Sequence, residues 1–215
     1  MSTTVDALGA LLLEQPARGY RFNQDARLVA DFAGPCRGLV FDLGAGVGAI
    51  GLSMLSRGSA SKVVLIERDE PTAKLLAANV ERNLLSTSAR VILQDVLAAS
   101  LPHRGLASVV VCNPPFVRPG AGRAPGDLKR DARMGDVTAF IAATRALLGK
   151  RGRACFVYPA NDFTQLLADF RAHGLEAKRA RFVHASGVAN ARVVLVEVLA
   201  ARFGGLVVLP PLLES

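Results

Sequence analysis

The stretch Phe41-Asp-Leu-Gly-Ala-Gly-Val-Gly-Ala-Ile-Gly51 joins a short apolar run to a segment rich in alanine and leucine. Glycines at such a junction let the backbone turn sharply and let a ligand approach the main-chain amides closely. Residues 46–51 satisfy the dinucleotide fingerprint G-x-G-x-x-G, although that match is weak. Asp-x-Gly-x-Gly-x-Gly describes the stretch better, because Asp42 places a carboxylate just before the turn. A carboxylate there repels a pyrophosphate but pairs well with the ammonium group of an amino acid, directly or through water.

From residue 39 onward, short apolar runs alternate with longer Ala/Leu-rich segments, which is typical of an α/β domain with a mainly parallel sheet. The predicted strands cover residues 39–43, 62–67, 90–94, 106–112, 153–158, 175–183 and 191–199. The predicted helices cover residues 48–57, 70–84, 136–148 and 162–173. The connection between the last two strands is too short for a helical crossover, so that pair is predicted to be antiparallel.

The chain is divided into a cap segment, residues 1–38, and a main domain, residues 39–215. Residues 5–33 precede the sheet and are too few for a domain of their own. The sixth predicted strand carries Glu176, Lys178, Arg179 and Arg181. Such a density of charge is typical of an exposed sheet edge. Residues 203–213 are predicted to form a final extended piece.

The composition restricts the environment and the partners of the protein. The formal net charge of +8 and a sequence pI near 10.1 favour a polyanionic partner, nucleic acid first and an anionic membrane second, against a merely solvated basic surface. No apolar run approaches the length of a membrane span, and the N-terminus lacks the pattern of a secretory signal. Three widely spaced cysteines and three histidines without ligand spacing predict reduced thiols, a cytoplasmic location and no metal.

Two more acidic residues follow predicted strands. Glu67 ends the second strand, where a carboxylate can accept both hydroxyls of a ribose. Asp95 follows the third strand, where it could receive the amino group of an adenine. The carboxyl ends of parallel strands line the crevice in which open α/β sheets bind ligands, so Asp42, Glu67 and Asp95 are expected at one edge. Each carboxylate taken alone could instead be a helix cap or a turn residue.

Asn113-Pro-Pro-Phe116 follows the apolar run Val109-Val-Val-Cys112. Two prolines in succession hold the backbone extended and remove two amide donors, which leaves carbonyl oxygens as acceptors. The Asn113 side chain adds another acceptor, and Phe116 offers a flat apolar face. Acceptors beside a stacking surface suit a planar ring with an exocyclic amine. Asn-Pro is also a common turn pair, so an ordinary turn at a strand end is the alternative.

Together these features resemble the class I S-adenosylmethionine-dependent methyltransferases over residues 39–199. The resemblance implies a Rossmann-like, seven-stranded, mostly parallel sheet with an antiparallel last hairpin and helices on both faces. It also implies that the glycine loop holds the methionine moiety, the acid after strand two the ribose and the acid after strand three the adenine. By motif position, the implied S-adenosylmethionine-binding residues are Asp42, Gly44, Ala45, Gly46, Gly48, Glu67, Arg68, Asp95, Val96 and Asn113.

Asn113-Pro-Pro-Phe116 resembles the signature of amine methylation, (Asn/Asp/Ser)-Pro-Pro-(Tyr/Phe/Trp), and Asn113, Pro114, Pro115 and Phe116 are the implied catalytic residues. Within that group the chain is similar to the bacterial tRNA-valine adenine-N6 methyltransferases. The further matching stretches are Gln15, Gly19-Tyr-Arg-Phe-Asn-Gln-Asp25, Arg192-Val-Val-Leu-Val-Glu197 and Gly204-Gly-Leu-Val-Val-Leu-Pro-Pro-Leu212. This likeness implies N6-methylation of an adenine in tRNA, with Gln24 and Asp25 near the cofactor, although Asn23-Gln24 stands where relatives often carry smaller residues.

Residues 118–133 carry five cations, two acids and several glycines and prolines. We interpret this segment as a clamp for RNA phosphates, against the alternative of a solvated loop. The implied substrate-binding residues are Phe116, Arg118, Arg123, Lys129, Arg130 and Arg133. The expected partner is tRNA, with no membrane partner, and the protein is expected to be a monomer or a homodimer.

Three other readings stay open at this point. The amine could be guanine N2 of rRNA or a glutamine amide in a protein, although enzymes of the latter kind usually carry a helical substrate domain before the sheet, and only 38 residues precede Leu39. The fold could also serve a non-catalytic RNA-binding scaffold. A nicotinamide enzyme is disfavoured by Asp42.

Overall fold

The computed structural model describes residues 2–17, 24–115, 137–200 and 204–214. In chain order the strands are β1 (Thr3–Leu8), β2 (Leu11–Pro16), β3 (Leu39–Leu43), β4 (Lys62–Glu67), β5 (Ala89–Leu93), β6 (Ala107–Cys112), β7 (Leu148–Pro159), β8 (Leu175–His184), β9 (Ala191–Ala200), β10 (Val207–Val208) and β11 (Leu212–Leu213). The helices are α1 (Gln24–Ala33), α2 (Ala49–Ser56), α3 (Glu70–Arg82), α4 (Val96–Ser100), α5 (Val137–Leu147) and α6 (Phe163–Ala172). Single 3-10 turns cover Leu101–His103 and Ala160–Asp162.

The central sheet has the strand order β10-β8-β9-β7-β6-β3-β4-β5, with β11 also paired to β8. Strands β3 to β7 pair in parallel, and β9 is antiparallel to both of its neighbours. The seven long strands therefore confirm the predicted Rossmann-like sheet with an antiparallel last hairpin. The bounds predicted for β3 and β4 are those observed, and the other strands and helices differ by a few residues at their ends.

Helices cover both faces of the sheet, as predicted. Adjacent strand residues point to opposite faces, so Val40 belongs to the core cluster that α1, α2 and α3 share, while Phe41 belongs to the cluster that α4, α5 and α6 share. Both side chains are fully buried. Burial on both faces explains why β3, β4 and β6 are mostly apolar in sequence rather than alternating between apolar and polar residues.

The segment before β3 contains two strands and a helix that were not predicted. Strands β1 and β2 form an antiparallel hairpin, the N-terminal hairpin, outside the main sheet. Helix α1 lies against the sheet through Val29 and Ala30. Helix α4 was also not predicted. The boundary between cap and domain at residue 38 stays a prediction.

The expectation that β8 is an exposed edge was wrong. Strands β10 and β11 pair with β8, with Val207 opposite Arg179 and Leu212 opposite Val183. Arg179 binds Glu197 of the neighbouring β9 through two hydrogen bonds, of 2.6 and 3.1 Å. Glu176 pairs with Arg171 of α6 at 2.8 Å, and Lys178 donates to the carbonyl oxygen of Gly204. Three of the four charged side chains of this strand are therefore held by partners within the protein.

Candidate active site

The carboxyl ends of the parallel strands bring the predicted site residues to one edge of the sheet. Leu43, the last residue of β3, is opposite Ile66 of β4 and opposite Cys112, the last residue of β6. The glycine loop that begins at Gly44 therefore emerges beside Glu67 on one side and beside Asn113 on the other. Adjacent strands lie about 5 Å apart, so the cofactor motif and the amine motif are immediate neighbours.

Asp42 is completely buried directly below the glycine loop. Its Oδ2 accepts a hydrogen bond of 2.8 Å from the amide of Gly51. Its Oδ1 is buried and has no hydrogen-bond partner among the residues that the structure describes. Burial raises the pKa of Asp42 to about 7; the Gly51 amide acts to lower this pKa, and the charge of Glu67 raises it further. Because Oδ1 of Asp42 has no partner among the described residues, the site fits an ammonium group, which would offset the cost of burying the carboxylate.

At two positions of the loop, Gly44 and Gly51, neighbouring atoms leave too little room for a side chain. Gly44 has φ +67, and a Cβ there would lie 3.0 Å from Cε1 of Phe140 on α5. Gly51 packs so closely on the sheet that a Cβ would lie 2.7 Å from Leu65 and 3.1 Å from Oδ2 of Asp42. The first glycine gives the loop its left-handed turn, and the second lets α2 approach the buried carboxylate.

Glu67 accepts three main-chain hydrogen bonds. Its Oε2 binds the amide of Gly46 at 2.9 Å, and its Oε1 binds the amides of Arg68 and Asp69 at 2.8 Å each. A carboxylate offers about four acceptor positions. A ribose diol at this carboxylate would therefore have to share or replace at least one of these bonds, and the bond to Gly46 links that exchange to the glycine loop.

Asp95 begins α4 and caps it. Its Oδ1 accepts a hydrogen bond of 2.9 Å from the amide of Leu97, and its Oδ2 lies 3.9 Å from Nη1 of Arg68. Both charged side chains are about half exposed, and Val96 is buried. Asp95 is thus a helix cap, which was the alternative considered for it. Its other carboxylate oxygen, Oδ2, lies at the sheet edge and can still accept a hydrogen bond from a ligand.

Asn113, Pro114 and Pro115 continue directly from β6. Asn113 is partly buried, Pro114 is buried and Pro115 is exposed. The end of β6 just before them is excluded from solvent, since Cys112 is fully buried. The Cys112 Sγ lies 3.7 Å from the carbonyl oxygen of Leu43 on β3. Phe116 and the five cations of the predicted clamp lie outside the described residues.

Asp25 lies at the start of α1 and is fully buried, whereas Gln24 is exposed. The Asp25 carboxylate Oδ1 lies 2.7 Å from Nη1 of Arg192 on β9, which also donates through Nε to Glu214 at 3.2 Å. Arg192 precedes Val193, which is opposite Pro159 at the carboxyl end of β7. Asp25 therefore reaches the site edge of the sheet while its carboxylate binds Arg192.

Two residues of this region were not found from the sequence. Phe140, on α5, lies against Gly44 as described above. The sequence feature that could have identified it is a single aromatic residue in an alanine-rich helix. Asn79, on α3, is fully buried, and its Nδ2 donates a hydrogen bond of 3.0 Å to the carbonyl oxygen of Val47 in the glycine loop. The signal there is one amide among the apolar positions of an amphipathic helix.

The sequence model of the methyltransferase small domain family matches residues 25–183, well over half of the chain. The chain belongs to this family. It is also 26% identical over 152 residues to the tRNA1(Val) (adenine(37)-N6)-methyltransferase of Photobacterium profundum, covering 67% of this chain and 62% of that protein. It is 24% identical over 161 residues to the enzyme of the same name from Aliivibrio salmonicida, covering 74% and 68%. The chain thus spans about three fifths to two thirds of the length of these two relatives.

Solved structures agree on the fold of this methyltransferase. A predicted O-methyltransferase from Agrobacterium tumefaciens superposes with a TM-score of 0.70 at 21% identity, covering 88% of this chain and 86% of the other. TYW2 of M. jannaschii, solved with AdoMet, superposes with a TM-score of 0.65 at 16% identity, covering 92% and 86%. Membership of a methyltransferase family supports S-adenosylmethionine as the cofactor.

Within residues 2–17, 24–115, 137–200 and 204–214, no three histidine, cysteine or acidic side chains are grouped so that they could hold a metal ion. None of the helices described above is both long and apolar enough to cross a membrane.

Proposed function

We propose that this methyltransferase transfers the methyl group of S-adenosylmethionine to the N6 amine of an adenine in tRNA. The observation that carries the proposal is the parallel pairing of β3 with β6, in which Leu43 is opposite Cys112. That register sets the amine motif, Asn113-Pro-Pro, beside the glycine loop above Asp42. A methyl donor and an amine acceptor therefore have adjacent places on one sheet edge.

In this proposal the cofactor is bound by residues at the carboxyl edge of the parallel strands. Asp42 would hold the ammonium group, the glycine loop the methionine moiety, Glu67 the ribose and Asp95, through its second oxygen, the adenine. When bound, S-adenosylmethionine supplies an electrophilic methyl group on a sulfonium. The structural feature that best fits this cofactor is Oδ1 of Asp42, which is buried and has no partner in the described part of the chain, because a cation there would offset the cost of burying a carboxylate.

The exocyclic amine of adenine is a poor nucleophile, because its lone pair is delocalised into the ring. In our proposal its two N–H groups donate to Oδ1 of Asn113 and to the carbonyl of Pro114. Two acceptors so placed favour a tetrahedral nitrogen and stabilise the positive charge that develops on it. Holding the amine in line supplies much of the remaining barrier reduction. The new N–C bond would form as the bond from sulfur to the methyl group breaks, which leaves S-adenosylhomocysteine. No strong base is required, since the methylated nitrogen is acidic and can lose its extra proton to water.

The RNA is recognised, in this proposal, by stacking and by charge. Phe116 would stack on the target base, a contact worth about 1–3 kcal/mol in comparable sites. A base within a tRNA must leave its own stack to reach the pocket. Arg118, Arg123, Lys129, Arg130 and Arg133 would bind the flanking phosphates. The names of the relatives at 24–26% identity support adenine in tRNA as the substrate.

The test is transfer of a tritiated methyl group from S-adenosylmethionine to total tRNA and, separately, to rRNA and protein, followed by nucleoside analysis. We expect N6-methyladenosine in the tRNA fraction. Label in guanosine of rRNA or in glutamine would replace the proposed substrate with another amine. Calorimetry with S-adenosylmethionine decides the scaffold reading, because a scaffold would not bind the cofactor.

A further inference from the structure

We propose that Asn79 is a positioning residue for the cofactor loop and that it makes the N-terminal hairpin a working part of the cofactor site. This rests on the cofactor-binding part of the proposed function and not on the identity of the methyl acceptor. All the contacts involved are among residues that the structure describes.

Asn79 lies on the buried side of α3 with its side chain completely excluded from solvent. Its Oδ1 accepts a hydrogen bond of 2.7 Å from the amide of Glu14 on β2, and its Nδ2 donates to the carbonyl oxygen of Glu14 at 2.9 Å. The second hydrogen on Nδ2 is donated to the carbonyl oxygen of Val47 at 3.0 Å. One amide therefore joins the hairpin, the helix and the glycine loop.

Asn83, one helical turn later, provides an internal comparison. It makes the same pair of bonds to Leu12 of β2, with Leu12 N to Oδ1 and Nδ2 to Leu12 O both at 3.0 Å. Four residues of helix rise about 6 Å and two residues of strand about 7 Å, so the two asparagines match alternate residues of β2. The remaining hydrogen of Asn83 goes back to the carbonyl of Asn79 at 2.7 Å and not to the loop.

The bond from Asn79 to Val47 orients the loop itself. The carbonyl of Val47 and the N–H of Gly48 belong to one planar peptide unit. Holding the carbonyl toward α3 therefore fixes the direction of the Gly48 amide, which donates to the carbonyl of Ala45 at 2.8 Å. Gly48 has φ +94 and precedes α2 without a side-chain cap. The turn that the cofactor would approach is thus held from below by Asn79.

The N-terminal hairpin could be attached to α3 without the hydrogen bonds of Asn79. Asn83 already binds the hairpin, and Arg82 binds the Glu14 carboxylate at 2.6 Å from Nη2 to Oε2. Neither contact reaches the glycine loop. If the role of Asn79 were to attach the hairpin, loss of Asn83 or Arg82 would have the same kind of effect on the cofactor as loss of Asn79.

The test compares four variants of the full chain: Asn79→Ala, Asn79→Asp, Asn83→Ala and Arg82→Ala. Aspartate at 79 can still accept from Glu14 but can donate to neither carbonyl. Calorimetry gives Kd for S-adenosylmethionine and S-adenosylhomocysteine well below each variant's Tm, which is measured separately. We expect Kd to rise about three- to tenfold for both Asn79 variants and less than twofold for Asn83→Ala and Arg82→Ala, although all four lower Tm.

Equal Kd values across the four folded variants would overturn the proposal while leaving the cofactor assignment intact. A wild-type protein that binds no S-adenosylmethionine would instead reject the proposed function, so the two failures are distinguishable. If the Asn79 variants do not fold, the proposal can still be tested by hydrogen exchange on the wild-type protein. Because coupling between sites is reciprocal, saturating S-adenosylmethionine should slow hydrogen exchange in residues 11–16, and unchanged exchange there would also overturn the proposal.

Discussion

The amide of Gly51 donates to Oδ2 of Asp42 over 2.8 Å and leaves the other oxygen of that buried carboxylate for a ligand. Burial raises the pKa of Asp42 from 3.8 to about 7. Between these values the folded chain holds a proton that the unfolded chain has lost. The pH-dependent contribution of Asp42 to the free energy of unfolding is therefore largest below pH 4. It is lost as the pH rises through 7, and the total loss is as much as about 4 kcal/mol.

Asp42→Asn should accordingly stabilise the ligand-free protein at pH 8 relative to wild type, while weakening cofactor binding at least tenfold. Wild-type affinity for S-adenosylmethionine should increase from pH 6 to pH 8 as Asp42 ionises, whereas the variant should show no such increase. Urea titrations and calorimetry at both pH values check this. Equal pH dependence in the two proteins would contradict the role of Asp42 as the partner of the ammonium group.

Asn113→Ala should reduce methyl transfer by at least about 100-fold, the usual effect of removing one group that stabilises transition-state charge. Cofactor affinity should stay within a few fold of wild type, since in our proposal the asparagine acts mainly on the acceptor amine. Tritium transfer gives the rate and calorimetry gives Kd. Retained turnover in this variant would reject the mechanism.

Gly44→Ala should weaken cofactor binding and lower the free energy of unfolding by about 1–2 kcal/mol, because φ is +67 and the new Cβ would meet Phe140 at 3.0 Å. Gly58→Ala is a matched control, since Gly58 also has φ +67 and a Cβ there would have nothing within 4 Å. The control should share the backbone strain and leave Kd unchanged. Equal Kd values for the two variants would argue against a role of the Gly44 turn in the site.

Neutralising Lys129 and Arg130 together should weaken tRNA binding and reduce the slope of log affinity against log salt by about 1.5. Arg27→Ala with Lys74→Ala is the control, because it removes the same charge from two exposed side chains that have carboxylate partners on their own helices. Filter binding at several salt concentrations measures both slopes. The clamp would be rejected by a slope equal to that of wild type.

Arg192→Ala should lower the free energy of unfolding by about 3 kcal/mol, because it removes the cation beside the buried Asp25 carboxylate. Lys74→Ala, which removes an exposed pair with Glu70, should leave the free energy of unfolding almost unchanged. Urea unfolding measures both. A small effect at Arg192 would mean that the carboxylate is satisfied without it.

The parallel core was predictable because its signals are local. Strands β3 and β4 are buried on both faces, so each is mostly apolar and ends before a glycine or at an acid, and their ends could be read to the residue. The N-terminal hairpin has no comparable signal. Its strand β2 is held by Asn79, whose bond to Glu14 joins residues 65 positions apart in the chain.

The same distinction applies to the site. Parallel topology alone brings Asp42, Glu67, Asp95 and Asn113 to one edge, so these residues could be proposed from the sequence. Phe140 and Asn79 act through contacts between elements distant in sequence, which no local pattern encodes. The position of Asp25 also depends on such a contact, because its partner Arg192 lies on a strand formed much later in the chain.

The pairing of Asp25 with Arg192 has a consequence for the order in which the protein can be made. Helix α1 leaves the ribosome before β9, so the buried Asp25 carboxylate is made before the Arg192 guanidinium that it contacts. Docking of α1 on the sheet therefore lacks this ion pair until β9 has been synthesised and inserted between β7 and β8. Completion of the fold is in this way deferred to late synthesis, and nascent chains that lack β9 should remain sensitive to protease around α1.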